Sequence, residues 1–180
     1  MTRNPEDIQR ILGLAAFFLS YPDQRWREDF SLAQASLKEV EDKKAASTLQ
    51  DFAKGVQAMD PYEFESRYVQ AFDFSQNTNL YLTSRSSKDT GQQRMGLLSY
   101  QMTFEEAGFQ VHAETPDYLP AMLELASAVD APMAGSIMAS AAHDIELLRD
   151  AVKEAEGLDE YVTLLDLVLE EGAELKEVAR

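Results

Sequence analysis

Helix-start signals recur along this chain, each followed by apolar residues at intervals of three and four. Asn4-Pro5-Glu6-Asp7 sets a capping side chain, a proline at the first helical position and acids in the first turn. Asp60-Pro61-Tyr62-Glu63 repeats the pattern. Thr115-Pro116-Asp117 and Pro132 mark two further starts. Proline fixes φ and gives up a donor that a first helical turn does not need, so these signals place helix boundaries by local chemistry.

The stripes between the signals have helical period. Ile8, Ile11, Leu12, Ala15 and Leu19 line a first helix that Pro22 ends near Ser20. A second runs from about Arg25 to Asp42 on Trp26, Phe30, Ala33, Leu37 and Val40. A third carries Leu49, Phe52 and Val56, and a fourth carries Phe64, Tyr68, Val69 and Phe72. A fifth is striped by Met95, Leu98 and Met102, with Gly108 as its stop and Phe109 beyond. A sixth, starting at Thr115-Pro116-Asp117, carries Leu119, Met122, Leu123, Ala126 and Val129. A seventh carries Met133, Ile137, Ala141, Ile145, Leu148 and Val152 and stops at Gly157. An eighth carries Tyr161, Leu164, Leu165 and Val168 and frays into a tail over 171–180.

Residues 73–90 form the least regular stretch, with one apolar island at Leu80-Tyr81-Leu82. No segment alternates as a strand does. The expectation is an all-α, single-domain bundle of seven to eight helices over residues 1–180.

Catalytic chemistry is sparse. Cysteine is absent, which removes thiolate nucleophiles, disulfides and thiolate metal sites. The two histidines, His112 and His143, stand far apart in sequence and form no metal-binding pair. Gly91 and Gly96 have phosphate-loop spacing, but Leu97-Leu98 follow where Lys-Ser/Thr is required. The expectation is a binding protein with no catalytic residues, no metal and no cofactor.

Net charge is −16, and residues 111–180 hold 16 acids against four basic residues. That field repels nucleic acid and anionic membranes and attracts basic partners. A solvated acidic surface is the plainer reading of the same charge. The first apolar run, Leu12–Leu19, falls short of the roughly 20 residues that span a bilayer. Acids precede it where a signal peptide carries bases, so a cytoplasmic protein without stable membrane insertion is expected.

Three segments carry a family resemblance. The first is Leu19-Ser20-Tyr21-Pro22-Asp23. The second comprises Met59-Asp60-Pro61, Tyr68, Phe72-Asp73 and Thr78-Asn79-Leu80-Tyr81-Leu82. The third runs from Gly91-Gln92 through Leu98, Tyr100 and Gly108 to Glu114-Thr115-Pro116-Asp117-Tyr118-Leu119-Pro120 and Leu123-Glu124. In this order they resemble the delta subunit, or assembly chaperone, of respiratory nitrate reductase, within the redox-enzyme maturation chaperones.

The resemblance implies a client. Such proteins hold the N-terminal or leader segment of a molybdopterin oxidoreductase catalytic subunit, often a twin-arginine leader, until its molybdenum cofactor is inserted. Tyr118 stands where family members commonly have His, and Thr83-Ser84-Arg85-Ser86-Ser87 replaces a His-rich stretch. The client is therefore open between nitrate reductase and a dimethyl sulfoxide or sulfur-compound reductase. A stable, non-catalytic helical subunit is a separate possibility, and both monomer and homodimer fit.

A receptor for such a leader needs an apolar groove with acids at one end. The residues expected to form it are Glu114, Pro116, Asp117, Tyr118, Leu119 and Met122, with Tyr81, Leu82, Arg94 and Tyr100. Glu114 and Asp117 would take arginine by charge-assisted bonds, and methionines would supply an adaptable lining. Each has a structural counterpart. Asp117 serves a helix dipole, Glu114 is solvated, Tyr81 and Leu82 plug the core, and Arg94 pairs inside the bundle.

Overall fold

The computed structural model of the chain describes residues 3–86 and 89–178. Among these, nine helices account for the architecture and no strand forms. They are α1 (Pro5–Leu19), α2 (Gln24–Leu37), α3 (Lys43–Ala58), α4 (Pro61–Phe72), α5 (Thr83–Ser86), α6 (Thr90–Glu106), α7 (Leu119–Ala128), α8 (Ala131–Glu154) and α9 (Asp159–Val178). The all-α reading holds. The extra element is α5, a single turn inside the stretch read as irregular. Ser87, in the segment compared with a His-rich stretch, lies outside the described residues, as do Met1 and Arg180.

The start signals work where the cap side chain is free to bend back. Asn4 accepts from the Glu6 N–H at 3.1 Å, Asp60 from the Tyr62 N–H at 2.9 Å, and Asp130 from the Met133 N–H at 2.9 Å. α1 is the hub. It packs on α7 and α9, and also on α2, α3 and α8. α8 and α9 form the closest helix pair, where Gly172 lies under Met138. An aromatic cluster joins α1 through α4 to α9: Trp26 stacks on Phe17 and Phe64, and Tyr161 meets Phe52 and Phe72 edge-on.

Four expectations are corrected. α2 stops at Leu37 rather than near Asp42, because Asp42 caps α3 through the Ala45 N–H at 2.8 Å. The buried carboxylate of Asp7 meanwhile accepts from the Glu41 and Asp42 N–H groups. Over its described residues, 171–178, the C-terminal tail is helical: α9 reaches Val178, with Glu171, Gly172 and Leu175 buried and Glu171 paired to Arg3 at 2.8 Å.

The stripe assigned to the fifth helix faces the wrong way. Met95 (68%), Leu98 (47%), Met102 (58%) and Phe109 (45%) are exposed, and α6 instead buries Tyr100 and Phe104. Gly108 does end α6, at φ +77°, with Phe109 N–H bonded to the Phe104 carbonyl and Gly108 N–H to that of Glu105.

The helix after Thr115-Pro116-Asp117 begins only at Leu119, with Tyr118 at the cap position and no capping bond from its side chain. Asp117 is committed elsewhere.

Candidate functional site

Two short chain segments cross where the irregular stretch meets the α6–α7 connection. Tyr81 and Tyr118 form an isolated antiparallel bridge. The Leu82 N–H donates to the Asp117 carbonyl and the Leu119 N–H to that of Leu80, both at 2.9 Å. The bridge sets the two tyrosine rings 5.3 Å apart and puts Tyr81 beside Glu114.

Asp117 is buried under this crossing (2% exposed). Its carboxylate accepts from the Thr83 hydroxyl at 2.6 Å, the Thr83 N–H at 3.2 Å and the Thr115 hydroxyl at 2.6 Å. It therefore ties the first residue of α5 to the α6–α7 connection rather than serving the dipole of α7. Leu82, Leu119 and Met122 are core residues. Tyr100 is buried too, and its hydroxyl donates to Asp144 of α8 at 2.6 Å. Arg94 is exposed, and no carboxylate pairs with it among the described residues.

Of these residues Glu114 is exposed, and Tyr81, Tyr118 and Pro116 are half-buried beside it. They border a small cavity of about 160 Å³ closed by Tyr21, Tyr68, Phe72, Asp73 and Leu80. That volume suits one side-chain head rather than a whole small molecule, whose pockets run from about 300 Å³ upward. Each of the three resembling segments contributes to it: Tyr21 from the first, Asp73 and Tyr81 from the second, Glu114 and Tyr118 from the third. Tyr21 and Asp73 were not among the expected binding residues. The only sign of them in sequence was their place inside the resembling segments.

The cavity is electron-rich. Asp73 closes α4 as its C-cap. Desolvation, then the negative charge of Glu114, push its carboxyl above the usual aspartate range. Tyr81 donates to Glu114 at 2.5 Å, and that bond, followed by burial, raises the Tyr81 phenol. Burial raises Tyr118 and Tyr68 as well, and the Tyr68 hydroxyl donates to the Leu19 carbonyl at 2.7 Å. All these phenols stay neutral at physiological pH. Two carboxylates among neutral tyrosine rings are suited to a guanidinium or an ammonium group.

Tyr81 and Glu114 also line the far wall of an open cleft of about 840 Å³ between α5, α6 and the α6–α7 connection. Its lining is polar, including Gln93, Arg94, His112 and Thr115, with Leu97 and Ala113 the apolar members. No methionine lines the cleft or the cavity. Among the described residues, no cluster of acids and histidines could hold a metal ion, and no helix is long and apolar enough to cross a membrane.

Comparison with known proteins bears on this arrangement. The family model described as nitrate reductase delta subunit matches residues 37–164. A Bacillus subtilis protein named probable nitrate reductase molybdenum cofactor assembly chaperone NarJ is 29% identical over 167 residues, covering 92% of this chain and 90% of its own length. A Mycobacterium tuberculosis protein named nitrate reductase-like protein NarX is 30% identical over 142 residues, which is 78% of this chain but 21% of that longer protein.

Proposed function

The chain belongs to the nitrate reductase delta subunit family, and from that premise we propose that it is a molybdenum-cofactor assembly chaperone for the catalytic subunit of a nitrate-reductase-type molybdoenzyme. On this reading it binds the client's N-terminal or leader segment, holds the subunit open until the cofactor is inserted, and then releases it. It catalyses no reaction of its own. The relative from Bacillus subtilis, whose length and coverage match this chain, carries an assembly-chaperone name and supports the role.

The observation that carries the finer part is the convergence of Tyr21, Asp73, Tyr81, Glu114 and Tyr118 on one cavity. A basic side chain of the leader enters there, between the two carboxylates and against the phenol rings. Its charge offsets the desolvation, and the added Glu114 repulsion, that hold the Asp73 carboxyl up. The leader then continues along the adjoining cleft. The excess of acids in residues 111–180 speeds the encounter. Asp117, spent on Thr83 and Thr115, supports the site from beneath and does not touch the client.

Calorimetric titration with N-terminal peptides from the source organism's molybdoenzyme catalytic subunits tests this, with dimethyl sulfoxide and sulfur-compound reductases in the panel. The expected result is binding of a nitrate-reductase-type peptide, weakened at least about tenfold, or about 1.4 kcal/mol, by Asp73→Asn with Glu114→Gln. Binding of another reductase's peptide alone would reassign the client. Binding indifferent to the double change would remove the cavity from the account. No binding at all would refute leader recognition.

A further inference from the structure

The outward face of α6 is apolar without a partner inside the chain. Met95, Leu98 and Met102 fall on one side of the helix, opposite the buried Tyr100 and Phe104, and Phe109, past Gly108, is exposed as well. Among the described residues, half of the exposed large hydrophobic side chains belong to this one element and its stop. A helix apolar on both faces is a helix meant to be covered. The patch turns away from the cleft, which is lined by Thr90, Gln93, Arg94 and Leu97 of the same helix.

Charge says what covers it. The chain carries −16, so two copies repel across most of their surfaces. Residues 90–104 contain one arginine and no acid, a rare stretch where a second copy can approach. Arg94 is exposed and unpaired by any carboxylate among the described residues. Glu105, also exposed, receives only a hydrogen bond from Gln101. Arg94 and Glu105 stand about three turns apart on the same edge of the apolar stripe. When two such helices pair antiparallel about a two-fold axis, same-edge residues at opposite ends meet. Arg94 of each copy then reaches Glu105 of the other, and Met95 packs against the other copy's Met102.

We propose that this protein self-associates as a two-fold dimer through antiparallel α6 helices, closed by two reciprocal Arg94–Glu105 pairs over a Met95–Leu98–Met102 seam. One helix face falls short of the roughly 800 Å² per partner of a standard interface. The dimer is therefore weak and reversible, with a dissociation constant on the order of 10–100 µM.

Sedimentation of the full chain from about 1 to about 500 µM reads the equilibrium. The expected result is a monomer–dimer transition that Met102→Glu abolishes. Arg94→Glu and Glu105→Arg should each weaken association about tenfold, and the double reversal should restore it to within about threefold. Circular dichroism melting of each variant controls for folding, which these exposed positions should leave unchanged. A chain monomeric throughout that range overturns the proposal. So does a dimer indifferent to Met102→Glu, or one in which the reversal gives no rescue. Loss of leader-peptide binding in Met102→Glu, with no dimer in the parent, would assign the face to the client instead.

Discussion

Replacing Asp117 by Ala should damage the fold rather than merely the site. The carboxylate is buried and accepts three hydrogen bonds, two from Thr83 and one from Thr115. A hydrogen bond to a charged group contributes about 1.5–3 kcal/mol, and a buried donor left without an acceptor costs a similar amount. Against this, removing the carboxylate ends the desolvation penalty of holding a charge below the surface, itself several kcal/mol. The balance is a loss of about 2–4 kcal/mol. For a chain of this length each kcal/mol moves the melting temperature by about 2–4 °C, so Asp117→Ala should melt roughly 5–15 °C lower. Thermal unfolding followed by circular dichroism at neutral pH measures it. Adding Thr83→Val should cost less than the same change in the parent, because its bond to Asp117 is already gone, and the two changes should couple by about 1–3 kcal/mol. Glu114→Gln, at an exposed carboxylate, should stay within about 0.5 kcal/mol of the parent. An Asp117→Ala protein that melts within about 2 °C of the parent, yet loses its client peptide, would refute this reasoning and make Asp117 a ligand.

Two glycines should respond in opposite directions in the same melting assay. Gly55 of α3 has nothing within 4 Å of an added Cβ, so Gly55→Ala should stabilise by about 0.5–1 kcal/mol through helix propensity alone. At Gly172 an added Cβ would stand 3.0 Å from Met138 Cε and 3.2 Å from its Cβ, so Gly172→Ala should destabilise by about 1–3 kcal/mol despite better propensity. Peptide binding should weaken on acidification, because Asp73 takes up a proton above the usual aspartate range and a cation needs it ionised. Titrations in buffers of different ionisation enthalpy should show proton release on acidification toward the raised Asp73 range, absent in Asp73→Asn, whereas equal heats in both buffers would contradict the site. Glu171 is raised, first by desolvation and only partly countered by Arg3, so the folded state holds its proton more tightly than the unfolded chain does. Its contribution is therefore most favourable at low pH and is lost as pH rises from about 4.3 through the raised value. Glu171→Gln should flatten the stability profile over that window in urea titrations, with Arg3 still facing Asp7 and Asp42.

What could be read from the chain and what could not divide by the range of the forces involved. Asn4 and Asp60 cap their helices through bonds spanning two residues, so the local pattern is the whole cause and the boundaries fall where the signals put them. Thr115-Pro116-Asp117 has the same local form, but a buried Thr83 more than thirty residues upstream claims the carboxylate, and α7 starts later. α6 shows the ambiguity of period alone: Met95, Leu98 and Met102 mark one apolar face, Tyr100 and Phe104 another. The larger aromatic surface goes inward, fixed by the Tyr100–Asp144 bond that no spacing announces. The tail was misread for the same reason, since Glu171 reads as solvated until Arg3 is seen beside it. Glu114 and Tyr118 were legible because the family pattern points to them as binding residues, whereas Tyr21 and Asp73 lie in the same pattern but join them only once folding closes the cavity. An isolated Tyr81–Tyr118 bridge brings the last two segments together, so the site depends on the fold's weakest piece of regular structure. The buried Asp117 beneath that bridge ties Thr83 to Thr115 across the two segments, so a residue whose local pattern suggests a ligand is already engaged inside the fold.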